Sequence, residues 1–418
     1  MINYEIYDEI LKSELVVATG CTEPIAISFA ANTLRRYLGN LPQKVSAYIC
    51  GNIIKNAKSV TVPNTKGLKG IKTAIACGLV LNESEQGLEL LESLEEKHLV
   101  EVNLLLEKNV IDVNVANTCK SLYIKLIGEF ENNKCEVILE DLHNNITFVK
   151  LNDKVLIDRN EVYQNKLKSY EFLNIKDIYE YASTCNLDNI KDSLKRQIDY
   201  NFKIAVEGIS GKYGASIGYI LNKNATSIKE KAKAYTAAAS DARMAGATLP
   251  VVIISGSGNQ GITASVPLVV YAKEYNISEE KLLRSLILSD LVILQEKKDI
   301  GRLSAFCGAI SAGVGAVAGI CYMLGGSLEA ISHTIVNSLA ISSGVICDGA
   351  KSSCAAKIAL ALESGFIGYE MYQEDKEFKD GEGIVLKGVD NTIRNVGRLA
   401  SKGMKETDKE IISMMIGK

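Results

Sequence analysis

Four of the ten cysteines, Cys21, Cys307, Cys347 and Cys354, sit within two residues of a glycine or at a helix boundary, where backbone can bend around an inorganic body. Cys347 and Cys354 are seven residues apart in "GVICDGAKSSCAAKIALALESGF", just ahead of what reads as a helix. Their spacing matches no zinc finger and no ferredoxin run. One continuous helix would put about 10 Å of rise between the two Cα atoms. Asp348-Gly349 predicts a loop instead, with Cys354 in an early turn of the following helix, whose N–H groups favour an anion. Cys50, Cys77, Cys119, Cys135, Cys185 and Cys321 lie in apolar or strand-like settings and read as packing residues.

Three polar loops are candidates for holding a small molecule. "SGSGNQGITASVP", residues 255–267, has neither a Walker loop's Gly-Lys-Ser/Thr nor the GxGxxG spacing, so a nucleotide site is not supported. It offers Ser255, Ser257, Asn259 and Gln260 with several backbone N–H groups at a helix start, which suits a carboxylate; a tight interhelical turn is the plainer reading. "ATGCTEPIA" places Cys21, Thr22 and Glu23 ahead of a helix, and "IIKNAKSVTVPNTKG" places Lys55, Asn56, Asn64 and Thr65 around a strand. Taken singly, Thr22 is a helix cap and Asn64-Thr65 a turn.

The elements that carry these loops change along the chain. "EIYDEILKSELVVA" and "IAISFAANTLRRYLG" have helical spacing on either side of "GCTEP". "KVSAYICG" and "SVTVPN" read as strands and "GLKGIKTAIACGLVL" as a helix. From Leu99 onward "LVEVNLLLEKNVIDVNVA", "SLYIKLIGEF", "KCEVILEDL" and "NITFVKLN" alternate as strands between Asn-rich turns. After about residue 166 the chain reads as helical, including "SIKEKAKAYTAAASDARMAG", "SEEKLLRSLILSDLVILQEK" and "AISAGVGAVAGICYML". The expectation is an α+β protein, with a mostly helical catalytic domain that holds the four cysteines over 1–40 and 156–418 and a small α/β sheet domain inserted over 41–155.

Composition excludes several partners. The 418 residues are 47% hydrophobic and 23% charged, enough apolar material for a large core. A net charge of −3 and the absence of Trp give neither a basic field nor stacking platforms for nucleic acid. Residues 305–326 carry no charge and have the length of a membrane span. Gly and Ala dominate there, however, which predicts a buried helix of a bundle and no membrane partner. Glu5, Asp8 and Glu9 occupy the place where a secretory signal would be basic, so a cytoplasmic location is expected, with the cysteines reduced. The apolar, helix-rich C-terminal half suggests a homodimer.

Together "GCTEPIA", "KNA…VPNT", "SGSGNQGI", "GRLSAFCGAISAG" and "ICDGAKSSCA" resemble the iron–sulfur L-cysteine desulfidases, relatives of the α-chain of iron–sulfur L-serine dehydratases. The resemblance runs through nearly the whole chain. It implies a [4Fe–4S] cluster acting as a Lewis acid, with Cys307, Cys347 and Cys354 as ligands and one iron open to the substrate's β-thiol or β-hydroxyl. It also implies Cys21 as the neighbour that takes the α-proton or caps the open iron at rest, and β-elimination to pyruvate, ammonia and sulfide. The competing assignment makes Cys21 a ligand and Cys354 a core residue. Thr22, Glu23, Asn56, Asn64, Thr65, Ser255, Ser257, Asn259 and Gln260 are the substrate-binding candidates for a small amino acid. The short Cys347–Cys354 interval, without the Pro-rich linker of the dehydratases, favours the desulfidase branch. Alternatives are an L-serine dehydratase and a non-catalytic amino-acid or metal sensor.

Overall fold

The computed structural model describes residues 2–81, 87–118, 120–159 and 170–417. Asn3 caps helix α1 (Tyr4–Glu14) by accepting the Ile6 N–H. The periodicity suggests that this helix runs on through Ala18, but it ends at Leu15. Val16 and Val17, stiff β-branched residues, enter strand β1 (Val16–Thr19). Helix α2 (Thr22–Leu38) follows and stops at Gly39, whose φ of 80° suits glycine.

The next part is a six-stranded sheet with three helices. It comprises β2 (Lys44–Ile49), α3 (Gly51–Ala57), α4 (Gly70–Val80), α5 (Glu96–Glu107) and β3 (Ile111–Val115). Four further strands complete it: β4 (Tyr123–Phe130), β5 (Asn133–Glu140), β6 (Ile146–Leu151) and β7 (Lys154–Asp158). The strand order is β3-β2-β4-β5-β6-β7, with β2 and β3 parallel and the other pairs antiparallel. Two sequence expectations change here. Residues 99–107, expected to be strand, lie in α5, because Leu99, Val102 and Leu105 recur at helical spacing and are its buried face. "SVTVPN" makes only an isolated bridge between Thr61 and Lys69.

The helical part holds α6 (Ile175–Thr184), α7 (Lys191–Gly208), α8 (Ile217–Lys223), α9 (Ile228–Met244) and β8 (Pro250–Ile253). It continues through α10 (Gly258–Glu274), α11 (Glu279–Ile300), α12 (Gly308–Met323) and α13 (Leu328–Ser342). Helices α14 (Cys354–Gln373), α15 (Val389–Arg398) and α16 (Lys405–Ile416) end the chain. Of the two N-terminal helices, α1 joins this part: β1 pairs antiparallel with β8, and the Tyr7 ring stacks on Tyr181. Helix α2 instead packs on β4, β5 and α4.

Helix α12 is the uncharged stretch, buried from Ala309 to Met323. A Cβ at Gly313 would come within 2.7 Å of the Ala361 backbone, and one at Gly315 within 2.7 Å of the Ser289 carbonyl. Its glycines thus admit α14 and α11 to backbone contact. No helix among the described residues is long and apolar enough to cross a membrane. The neighbouring α11 buries Asp290, whose Oδ1 accepts from Gln197 Nε2 at 3.0 Å while Oδ2 has no hydrogen-bond partner.

Burial pushes the Asp290 carboxyl from 3.8 up to about 8, against the opposing hydrogen bond from Gln197. The folded chain therefore keeps a proton that the unfolded chain sheds near pH 3.8. Stability contributed here is present at low pH, falls between about 4 and 8, and is level above. Asp290→Asn should flatten this dependence, so thermal melts at pH 5 and pH 8 should lie closer together than in the parent. An unchanged separation would remove Asp290 as its source.

Candidate functional site

The cysteines are brought together by a short backbone pairing. Phe306 and Ile346 form an isolated antiparallel bridge; the Cys307 N–H donates to Val345 O at 3.1 Å and the Cys347 N–H to Ala305 O at 2.6 Å. Cys307 is the N-cap of α12 and Cys354 the first residue of α14. Between Cys347 and Cys354, Gly349 turns the chain at φ +96°, packed so closely on α3 that a Cβ would run into the Lys55 carbonyl. Asp348 fastens the loop through ion pairs to Lys351 and to Lys357, the latter at 2.5 Å. Burial opposes its ionisation, but the two lysines outweigh this and hold its carboxyl at about 2.

Cys307, Cys347 and Cys354 line one cleft with Cys21, a space of about 90 Å³. Among the described residues no three His, Cys, Asp or Glu groups are arranged for a single metal ion. Burial, then the charge of Cys347, pushes the Cys307 thiol up to about 12, and burial raises Cys354. Such thiols stay protonated until a metal displaces the proton.

Glu23 stands at the opposite wall. Its Oε2 accepts from Cys21 Sγ and from Thr22 Oγ1, each at 3.0 Å, and its Oε1 from Asn56 Nδ2 at 2.9 Å. His143 Nε2, buried and without a hydrogen-bond partner, lies 3.8 Å from Oε1, an electrostatic contact rather than a hydrogen bond. Burial disfavours the Glu23 charge, yet His143, Cys21 and Arg243 together hold its carboxyl at about 2. The Cys21 thiol moves the other way: burial and then the Glu23 charge raise its pKa well above the ordinary value. Thr22 Oγ1 also engages Gly256 O at 3.0 Å, tying α2 to the glycine-rich loop.

That loop turns through Ser255 (φ 50°) and Gly256 (φ 74°) to Ser257, which caps α10. Ser257, Asn259 and Gln260 line the cleft. Ser255 does not; its N–H is spent on Glu14 Oε2 at 3.0 Å. Asn64 and Thr65 also stay outside, holding the turn before α4 through Leu91 O (2.8 Å) and Val62 O (2.6 Å) respectively. Cys50, Cys77, Cys135, Cys185 and Cys321 are buried away from the cleft, and Cys119 lies outside the described residues.

Four residues at or beside the site carry no motif in the sequence. His143 comes from the β5–β6 turn, where "LHNN" reads as a hairpin tip. Arg243 and Lys297 read as the basic last turns of α9 and α11, a common helix ending. Lys357 reads as a surface position of α14. Lys297 is buried among the cysteines, its only hydrogen-bond acceptor among the described residues being Arg302 O at 3.3 Å. Burial pulls it down to about 8 against the neighbouring Cys347 and Cys307. Arg302 lines both this cleft and an outer cavity of about 690 Å³, bounded by α1, the 142–145 turn and Gly256.

With this geometry in place, comparison with known sequences identifies the class. Residues 66–413 match the family model of the serine dehydratase alpha chain, and the chain belongs to that family. Its relatives include proteins designated UPF0597: one from Finegoldia magna is 47% identical over 99% of both chains. Another from Desulfitobacterium hafniense is 45% identical over 99% of this chain and 97% of its own, and one from Treponema denticola 42% identical over 99% and 98%. The family match begins after Cys21, Glu23 and Asn56, whereas these relatives align over nearly the full length.

Gly349→Ala tests how rigidly the cysteine loop is set. A side chain at this positive φ costs about 1–3 kcal/mol in strain alone. The variant should melt several degrees lower, and its Cys347 and Cys354 should react faster with a thiol reagent. Parent-like melting and thiol reactivity would show that the loop adapts.

Proposed function

We propose that this protein is an L-cysteine desulfidase of the cytosol, converting L-cysteine and water to pyruvate, ammonia and sulfide. The observation that carries the reading is that Cys307, Cys347 and Cys354 open onto the same small cleft as Cys21 and Glu23, with His143 3.8 Å from Glu23 on the side of the outer cavity. The donor set fits a [4Fe–4S] cluster held by those three thiols. Cys307 and Cys354 stand at helix starts, whose dipoles favour anionic ligands, and Lys297 supplies a compensating charge beside them.

When bound, the cluster supplies a Lewis-acidic iron for the substrate's β-heteroatom. The chain supplies the proton transfers. His143, with a free buried Nε2, takes the α-proton, and the ionised Glu23 beside it stabilises the imidazolium that results. The Cys21 thiol, kept protonated by burial and by the Glu23 charge, holds Glu23 Oε2 beside the same space. Elimination leaves aminoacrylate, which tautomerises and hydrolyses to pyruvate and ammonia. The family description favours a second reading in which L-serine is the substrate and water the leaving group.

Anaerobically purified protein should be brown and should release sulfide and pyruvate from L-cysteine faster than pyruvate from L-serine. Faster serine turnover would move the assignment to the dehydratase, and inertness toward both would leave an amino-acid or metal sensor. His143→Gln should keep its iron and lose about 100-fold or more in kcat. Iron should be lost in the Cys307, Cys347 and Cys354 alanine variants and kept in Cys21→Ala; the reverse for Cys21 and Cys354 would exchange their roles.

A further inference from the structure

Arg243, at the end of α9, is 3% exposed, and its guanidinium lines the cleft. Its Nη1 donates to Asn259 Oδ1 at 3.1 Å, while Nε is buried without a partner among the described residues. Among the described residues no carboxylate forms an ion pair with it. Glu23, the acidic group that senses Arg243 through space, has its oxygens engaged by Cys21, Thr22 and Asn56. A guanidinium removed from water without a counter-ion is costly, and buried charges are normally paired.

The surroundings are shaped to leave this group open on one side. Gly258 opens α10 directly against it, and a Cβ there would come within 2.6 Å of Arg243 Cζ. The first turn of this 17-residue helix has backbone N–H groups with no intrahelical partner. Gln260 follows on the same turn, with a buried Oε1 that has no partner. Its amide lies on Gly308, next to Cys307, where a Cβ would be 2.8 Å from Gln260 Nε2. One helix turn therefore joins an unpaired cation at one end to a cluster-ligand candidate at the other.

We infer that Arg243 and the first turn of α10 form the receptor for a substrate α-carboxylate, restricting the site to free amino acids. This rests on the reading of the cleft as an amino-acid site and deepens it. The carboxylate supplies the missing counter-ion, and Gln260 Oε1 is left to accept from the ammonium. The β-carbon is then directed toward the cysteines. Amines, amides and esters lack the anion and are excluded.

The test uses anaerobically purified, iron-loaded protein and two kinds of readout. In turnover, Arg243→Met should raise KM for L-cysteine by at least about 30-fold, with iron content unchanged and partial recovery in Arg243→Lys. The parent should disfavour L-cysteine methyl ester by a similar factor, and Arg243→Met should lose that discrimination. Gly258→Ala, which displaces the guanidinium without removing it, should raise KM likewise and covers the case of a variant that does not fold. In calorimetry, unreactive L-alanine should bind the parent, and neither L-alaninamide to the parent nor L-alanine to Arg243→Met should match it. Parent-like KM and ester discrimination in folded Arg243→Met would overturn the receptor while leaving the lyase intact. L-alanine binding that depends on Arg243, in a protein that turns over neither cysteine nor serine, would keep the receptor and overturn the lyase. Absence of both binding and turnover in the parent would overturn both.

Discussion

A carboxylate sealed from water is tolerable only when partners surround it, and Glu23 takes its hydrogen bonds from α2 and the sheet part while Arg243 of the helical part favours its charge through space. Asn56 and His143 reach it from α3 and the β5–β6 turn of the sheet part. Thr22 shares its hydroxyl between this carboxylate and the Gly256 carbonyl, which belongs to the helical part. Pulling the two parts away from each other would break the Thr22–Gly256 hydrogen bond, take Arg243 away from a buried charge and open that charge's surroundings. The cleft is for this reason a property of the junction. The sheet contributes one wall of it, although none of its strands carries a cysteine of the site.

The opposite wall is governed by charge balance. Asp348 neutralises Lys357, and Glu14 neutralises Arg302 while also accepting the Ser255 N–H and the Tyr170 hydroxyl. Among the described residues Arg243 and Lys297 have no such carboxylate, so the interior of the cleft carries more positive than negative fixed charge there. Helix starts at Cys307 and Cys354 add to that field. A space built this way favours anionic occupants at two places, one beside the cysteines and one beside α10.

Local chemistry made part of this legible in the sequence. Asp348-Gly349 announced the loop, and Cys354 does open the next helix, because a positive-φ glycine and a helix start are written in neighbouring residues. Cys307 likewise precedes its glycine-rich helix. Pairings between distant segments were not legible. Val16 and Val17 looked helical until Val252 and Ile253, more than 200 residues away, claimed them for a strand. His143 and Arg243 look like a hairpin tip and a helix end, and their importance comes only from what other segments bring against them. Asn64 and Thr65 showed the opposite failure, since good hydrogen-bonding residues were consumed by structure, Thr65 by its own turn and Asn64 by the Leu91 carbonyl.

Lys55 links these features through time as well as space. It is 1% exposed, touches Ser304 O at 3.3 Å, and finds its counter-ion in Asp408 Oδ1 at 2.6 Å, on the last helix. A chain emerging from the ribosome presents Lys55 some 350 residues before Asp408 exists. Until then the ammonium has no anion to be buried with, and α3, against whose carbonyl the cysteine loop must seat, cannot settle into place. The cysteines at 307, 347 and 354 therefore complete their synthesis before the floor beneath them is locked. The interval between those two events is written into the order of synthesis: all three thiols exist before the anion that lets Lys55 be buried.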